Sequence, residues 1–331
     1  MSVVINIIDR LRHEAEAALE NKLCEQSGAT QCIVTYNEDD ALAVALRAVG
    51  VRSGMQVVCP ALGDPVLLCA VQRVGATAVF CDINPEMWTL DATELEQMLL
   101  CRKNTGKALP HAVIASDMLG LPCDYPKLKE ICMSYKIMLI ADIRHSLSAK
   151  INEQRCTIYS DASVALISSA PEISVMFCDT ASPEIYNNSE GISQLSIIDI
   201  SLATHKLSRL EPELAARREV AKIYKKYLPK TVRLQYFPEG FLHSYSGFGV
   251  VFESEQACVR VRESLCIAGL LGFEAPPMLL HRLVGRMSAL SRMPCAERLS
   301  GRLLLLPMHA WLNKKTISQI AGAVTSQNIV T

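Results

Sequence analysis

The segment TYNEDDALAVAL, residues 35–46, has the residue types of a helix start that could hold an anion. Asn37 is a good N-cap residue. The free N–H groups and the dipole at such a start attract phosphate in many α/β proteins. Glu38, Asp39 and Asp40 follow, and one carboxylate about 4 Å from a phosphate charge costs roughly 4 kcal/mol at an effective dielectric near 20. The segment therefore predicts a well-capped helix, favoured by acids in its first turn, whose start is unfavourable for an anion.

A second candidate for anion binding is the pair Arg282 and Arg286 in HRLVGR. Arginines four residues apart share one face of a helix. Two guanidinium groups on one face could bind a diphosphate. A solvated helix face is the plainer interpretation of the same pattern.

Other patterns of catalytic and metal-binding residues are missing from the sequence. It contains no Gly-x-Gly-x-x-Gly after a strand, no P-loop, no His-Glu-x-x-His and no nucleophile elbow. The histidines lie far apart, and no spacing supports a thiol–imidazole pair of His145 with Cys156. The 13 cysteines include no Cys-x-x-Cys pair, and most of them lie in apolar runs. They are typical of buried packing residues in a reducing compartment, and no metal site is predicted.

Composition excludes several classes of partner. The 331 residues are enough for about two domains. The formal net charge is -1, and no basic tract indicates a nucleic-acid or membrane surface. The first 20 residues read as an amphipathic helix and as neither a secretory signal nor a membrane span, so we expect a cytoplasmic protein.

Apolar runs and helical patterns alternate along the first two-thirds of the chain. Continuous runs such as VVC, AVF, AVIA and IMLIA are typical of strands covered by helices on both faces. This order predicts an α/β fold with a mostly parallel sheet flanked by helices. We divide the chain into a large α/β domain, residues 1–205, and a smaller α+β domain, residues 206–331. A long helix over residues 192–228 is expected to be interrupted or kinked near Pro212.

The order and spacing of several segments resemble those of the DegT/StrS-type sugar aminotransferases, from about residue 30 almost to the end of the chain. This resemblance implies the fold of a fold-type I pyridoxal phosphate (PLP) transferase, in a family that aminates keto sugars on nucleotide carriers. The segments that carry it are LRAVGVRSGMQVVCPAL, VQRVGATAVFCDINPEMWTLDATELE, MLGLPCDYPKLKEICMSYKIMLIADIRHS, GISQLSIIDISLATHKLSRLEPELAARREVAKIY and AERLSGRLLLLPMHAWLNKKTISQIAGAV.

The resemblance implies that part of the coenzyme site is retained. In LIADIRHS, Asp142 matches the family's carboxylate that faces the pyridine nitrogen of PLP, and His145 matches the Gln or His that contacts the ring hydroxyl. The Schiff-base lysine that binds PLP and moves protons is absent, because its position falls near Pro171. No lysine occurs between Lys150 and Lys206, so an alignment shift does not restore one.

The other coenzyme contacts of the family are also replaced in this sequence. The stacking aromatic residue corresponds to Asp64, and the phosphate-binding turn corresponds to Asn37–Asp40, with Asp39 in its middle. The family's phosphate-side asparagine corresponds to about Ser189. The expected coenzyme-site residues Asp39, Asp64, Asp142, His145 and Ser189 are therefore vestigial.

Three hypotheses follow from this pattern. The leading one is a non-catalytic homologue of the nucleotide-sugar aminotransferases, without a cofactor, that acts as a structural or regulatory partner in sugar or polysaccharide biosynthesis. It would form a homodimer, or a heterodimer with an active paralogue. The alternatives are an active PLP-dependent sugar aminotransferase with a displaced lysine, Lys150 or Lys206, and a protein that binds a sugar nucleotide through Arg282 and Arg286.

Overall fold

The apolar runs of the first half of the chain form one seven-stranded sheet in the computed structural model. The structure describes residues 2–169, 172–179, 195–272, 275–284 and 292–328. The strand order is β1-β10-β9-β6-β5-β2-β4. Within the described residues, β10 is the one strand of this sheet that runs antiparallel to its neighbours. The predicted α/β class with a mostly parallel sheet is confirmed. The strands are β1 (Gln31–Thr35), β2 (Gln56–Pro60), β4 (Thr77–Cys81), β5 (Ala112–Ser116), β6 (Met138–Asp142), β9 (Ala162–Ser169) and β10 (Glu172–Cys178).

Helices cover both faces of this sheet. One face, here called the α1 face, packs against α1 (Ser2–Ser27), α4 (Ala92–Asn104), α5 (Tyr125–Tyr135) and the first half of α6 (Ile197–Tyr227). The opposite face, the α2 face, packs against α2 (Glu38–Ala48) and α3 (Val66–Arg73). Burial on both faces explains why the central strands are apolar throughout and do not alternate with polar residues.

A bulge in β9 determines which residues reach each face at the end of this strand. Leu166 pairs with Ser174, and Ser168 pairs with Ile173, so Ile167 has no partner in the ladder. Because cross-strand partners share a face, Ser168 lies on the α1 face with Ile173, which belongs to the core on that side.

The smaller C-terminal unit is built on a three-stranded antiparallel sheet. Its strands are β11 (Arg233–Leu234), β13 (Phe248–Val251) and β15 (Leu303–Leu306), and its helices are α7 (Glu255–Ile267) and α10 (Lys314–Asn328). The second half of α6 completes its core. The short elements β3 (Leu62–Gly63), β7 (Lys150–Ile151), β8 (Gln154–Arg155), β12 (Phe241–Leu242), β14 (Met278–Leu279), α8 (Leu280–Leu283) and α9 (Pro294–Ser300) connect the two units or lie beside them.

Helix α6 runs from one unit into the other. Of the predicted interruption or kink near Pro212, the interruption is wrong, because α6 continues through this residue, and the kink stays a prediction. The ring of Pro212 is exposed, so the helix accommodates it on its solvent side. The division that we predicted between residues 205 and 206 falls inside α6 and stays a prediction. The described part of the chain has no helix with the length and apolar character of a membrane span.

The two units contact closely around Trp88 and Gly249. Trp88 is fully buried, and a Cβ placed on Gly249 of β13 would lie 2.8 Å from the Trp88 ring and 2.9 Å from the Leu119 side chain. Only a glycine permits this approach of strand and indole.

Candidate functional site

The candidate site lies at the carboxyl ends of β5 and β6, on the α2 face. Asp142, the last residue of β6, is directly opposite Ser116, the last residue of β5. The Ser116 hydroxyl donates to Asp142 Oδ2 at 2.6 Å. The Asp142 carboxylate is 1% exposed, so it requires compensating partners within the protein.

Arg144 supplies the positive charge that this carboxylate needs. Its Nε donates to Asp142 Oδ1 at 2.7 Å, and its Nη2 donates to Asp142 Oδ2 at 2.9 Å. This bidentate pair is the strongest arrangement of an arginine and a carboxylate. The side chain of Arg144 is 0% exposed. Arg144 and Ser116 therefore take up both oxygens of Asp142.

Two more carboxylates reach the same guanidinium. Arg144 Nη1 donates to the carboxylate of Glu38, in the first turn of α2. Asp64 Oδ2, from the loop before α3, lies 3.6 Å from the same Nη1 atom. Arg144 thus joins three separate parts of the chain through ion pairs.

The pKa values of these groups reflect burial and pairing together. Burial alone would raise the pKa of Asp142, but the charge and hydrogen bonds of Arg144 outweigh it and hold that pKa below its ordinary value. Burial raises the pKa of Glu38 in spite of Arg144. Burial would lower the pKa of Arg144, and the surrounding carboxylates raise it instead, so this residue is a permanent cation.

The protein's own carboxylate occupies the start of α2. The backbone N–H of Glu38 donates to Glu172 Oε1, at the start of β10, at 2.7 Å. Asn37 is the N-cap residue as predicted, but its side chain makes no capping hydrogen bond and donates to Asp40 Oδ2 instead. Asp39 and Asp40 pair with Arg73 of α3 at 2.8 and 2.7 Å.

The structure brings together only some of the residues predicted from the sequence. Asp64 and Asp142 meet around Arg144, whereas Asp39 pairs with Arg73. His145 is exposed. The surrounding protein lowers its pKa by desolvation, and the charge of Arg144 lowers that pKa further. Its backbone oxygen accepts a hydrogen bond from the Ser244 hydroxyl of the smaller unit.

The remaining predicted residues lie elsewhere or cannot be placed. Arg282 has a side chain that is 62% exposed and pairs with Glu297 at 3.3 Å. Pro171, Ser189 and Arg286 lie outside the described residues.

Both lysines considered as displaced Schiff-base residues lie on the α1 face. Lys206 Nζ donates to Ser168 Oγ at 2.8 Å, and the β9 bulge places Ser168 on that face. Lys150 lines a cavity together with Leu207 and Phe177, which belong to the core on that face. Asp142 lies on the opposite face, so the sheet separates it from both amines.

A second buried acid, Asp117, holds the loop that follows β6. It accepts hydrogen bonds from the Cys123 N–H at 2.8 Å, from the Tyr125 hydroxyl at 2.7 Å and from the Ser146 hydroxyl. No cation within 4 Å offsets its charge among the described residues, and burial raises its pKa to about 7.

Comparison with known proteins identifies the family to which this chain belongs. The model of the DegT/DnrJ/EryC1/StrS aminotransferase family matches residues 10–168 and 189–325. The chain belongs to this family. A UDP-2-acetamido-2-deoxy-3-oxo-D-glucuronate aminotransferase of Pseudomonas aeruginosa is 24% identical over 93% of the chain and 89% of its own length. A UDP-N-acetyl-3-dehydro-alpha-D-glucosamine 3-aminotransferase of Acidithiobacillus ferrooxidans is 25% identical over 93% of the chain and 87% of its own length.

Solved structures of this family share the fold. A DegT/DnrJ/EryC1/StrS aminotransferase from Brucella abortus superposes with a TM-score of 0.81 at 23% identity, over 94% of this chain and 90% of its own. A putative sugar aminotransferase from Streptococcus pneumoniae in its PMP form gives 0.82 at 18% identity, over 95% and 92%.

The described residues of this member do not fit PLP. The resemblance places the pyridine nitrogen against Asp142, and there the buried Arg144 occupies both carboxylate oxygens. It places the phosphate at the start of α2, where Glu172 accepts from the N–H of Glu38. The acids at this helix start and around Arg144 outnumber the two arginines that pair with them, so a phosphate dianion would meet an excess of negative charge.

Three residues that complete the site were missed in the sequence: Arg73, Arg144 and Glu172. Arg144 had a usable signal, since several acids in one predicted site require a compensating cation, and this arginine stands two residues after Asp142. Arg73 and Glu172 had no comparable signal, because their partners are distant in sequence.

Arg144→Met tests whether the ion network stabilises the fold. The change leaves the buried charge of Asp142 and the partly buried charge of Glu38 without their cation, and we expect the free energy of unfolding to fall by about 3–5 kcal/mol in urea denaturation. The triple variant Glu38→Gln, Asp142→Asn and Arg144→Met removes these charges together and should recover most of the loss. Arg10→Met is the control, because Arg10 and its partner Glu14 have side chains that are 81% and 58% exposed, so its loss should be much smaller. Wild-type stability of Arg144→Met would contradict this account.

Asp117→Asn tests the pH dependence that arises from Asp117. The pKa of this acid is raised in the folded protein, so its contribution to stability is fully present below pH 4 and is lost as the pH rises to about 7. In the wild type, urea denaturation at several pH values should show a decline of stability over this range. The decline should be shallower in Asp117→Asn, with Glu38 contributing a remainder of the same sign. Parallel curves for the two proteins would refute this assignment.

Proposed function

We propose that this chain is a non-catalytic member of its family, binds no PLP, and acts in the cytoplasm as a structural or regulatory partner in nucleotide-sugar or polysaccharide biosynthesis. The curated relatives named above are aminotransferases of UDP sugars, which supports this pathway class. Both units have well-packed apolar cores, which supports a role that requires the folded protein.

The observation that carries the proposal is the pairing of Arg144 with Asp142. In a PLP transferase the carboxylate must face the pyridine nitrogen so that the ring can withdraw electrons. Here a permanently charged guanidinium holds that carboxylate in a bidentate pair. Displacing Arg144 would leave its charge buried or require the loop after β6 to move, and either change costs free energy.

The position of the lysines supports the proposal independently of Arg144. No lysine occurs between residues 150 and 206, and the two at the ends of this interval lie on the α1 face. A coenzyme ring that contacts Asp142 would therefore lie across the sheet from either amine. This separation weighs against the alternative of an active sugar aminotransferase with a displaced lysine.

The other alternative is a sugar-nucleotide-binding protein that uses Arg282 and Arg286. Arg282 is exposed and belongs to a short helix, so a diphosphate could reach it, but its present partner is Glu297. A diphosphate would have to compete with this carboxylate. This competition favours the role of a structural or regulatory partner over that of a sugar-nucleotide-binding protein.

Exposure to PLP distinguishes the non-catalytic protein from an active enzyme. We expect no stoichiometric absorbance band of lysine-bound coenzyme, no coenzyme fixed by borohydride, and no conversion of a keto-sugar nucleotide with glutamate. An active relative treated in parallel provides the positive control. If borohydride fixes coenzyme, the variants Lys150→Arg and Lys206→Arg identify the lysine that carries it. Lys107→Arg is the exposed control. A stoichiometric adduct that disappears in one of the first two variants would overturn the proposal.

The partner role predicts a specific assembly. Light scattering on the purified chain should give a species near twice its 36.4 kDa mass, either alone or after co-expression with an active relative from the same cell. A tagged copy of this chain should then co-purify with the relative if the assembly is a heterodimer. A monomer under both conditions would rule out the dimeric partner.

A further inference from the structure

A cavity on the α1 face lies away from the coenzyme region. Its volume is about 160 Å³, and it is enclosed by α1, α6, β10 and the hairpin β7–β8. An apolar cavity of about 150 Å³ in another protein is large enough to bind benzene. This cavity can therefore hold a ligand with a body the size of one six-membered ring.

The inner wall of this cavity is apolar. Leu23 and Phe177 are almost fully buried, and Leu207 and Leu210 of α6 complete the wall. These apolar side chains favour a hydrocarbon body, whereas Gln26, Ser27 and Ser148 offer hydrogen-bonding groups at other points of the wall.

Two cations from the hairpin β7–β8 also line the cavity. Lys150 and Arg155 are direct cross-strand partners, and Asn152 and Glu153 form the two-residue turn between their strands. Both turn residues have positive φ, 49° and 65°, as in the turns that join tight hairpins and fix their register. The register thus places the two positive side chains next to each other.

This arrangement is unfavourable unless an anion compensates it. Like charges directly opposite each other in a hairpin destabilise it. Lys150 is 4.0 Å from Glu153, whose side chain is 92% exposed, so this pair contributes little. Within the described residues, Arg155 has no ion pair within 4 Å. Among the described residues, Glu211 is the one acid that lines the cavity, and these residues leave an excess of one positive charge there.

We propose that this cavity binds a small organic monoanion, with its apolar body against Leu23, Phe177 and Leu207 and its carboxylate between Lys150 and Arg155. The ligand relieves the repulsion within the hairpin and fills the apolar space. The excess of one positive charge favours a monoanion over a dianion, and the apolar wall favours a carboxylate with a hydrocarbon body over inorganic phosphate. This site is separate from the proposed loss of catalysis and does not depend on it.

Benzoate is the probe for this site, in a ligand-observed NMR titration of the full chain. We expect saturable binding with a dissociation constant on the order of 1 mM, as suits so small a ligand. Benzyl alcohol, which has the same body without the charge, and inorganic phosphate, which has charge without the body, should both bind at least about tenfold more weakly. Absence of saturable benzoate binding, or equal binding of either control compound, would overturn the proposal.

Matched variants locate the binding. The double variant Lys150→Gln and Arg155→Gln should weaken benzoate binding at least about tenfold, while the exposed control Lys107→Gln should leave it unchanged. Leu210→Trp fills the cavity, keeps both cations and should abolish binding. The thermal transition of each variant verifies that it is folded. Undiminished binding in either the folded double variant or the folded Leu210→Trp protein would refute the site.

Discussion

A guanidinium buried among carboxylates is the interaction on which the site of this protein depends. Arg144 is fully buried, and its hydrogen bonds connect the end of β6 to the first turn of α2, with Asp64 nearby. A buried charge is tolerated only when its partners satisfy its hydrogen-bonding groups. The carboxylates and Arg144 therefore form one unit, in which the removal of Arg144 leaves all three carboxylates without their cation.

This unit changes the meaning of the acids at the start of α2. Their positions in the sequence predict that they repel a phosphate and complement the helix dipole. In the structure they also act as ligands for arginines: Glu38 for Arg144, and Asp39 and Asp40 for Arg73. The free N–H of the helix start is used as well, since Glu172 accepts from it. The start of α2, where the resemblance places the coenzyme phosphate, is thus lined by the protein's own charged side chains.

The sequence was sufficient for the α/β class with a mostly parallel sheet, because this class depends on local patterns. Apolar runs predicted β2, β5 and β6, and the resemblance placed Asp142 at the end of β6. The pairing within the site was not predictable in this way, because Arg144 and Glu38 are 106 residues apart and Glu172 and Glu38 are 134 apart. Such contacts arise only when the sheet brings strand ends together.

Two further features of the backbone also escaped the sequence. The bulge at Ile167 has no signature in the sequence ALISS. It nevertheless places Ser168 on the α1 face, where the Lys206 amine donates a hydrogen bond to it. Pro212 predicts an interruption or a kink, and packing along both halves of α6 keeps the helix uninterrupted there.

The continuity of α6 has a mechanical consequence. Its 31 residues span about 46 Å, and the same helix supplies Leu207 to one core and Tyr224 to the other. Rotation of one unit against the other would have to bend this rod or extract it from a core, and the tight fit of Gly249 against Trp88 resists sliding as well. Within the described residues, α6 and this contact therefore couple the two units, so that turning one unit relative to the other would disturb both cores.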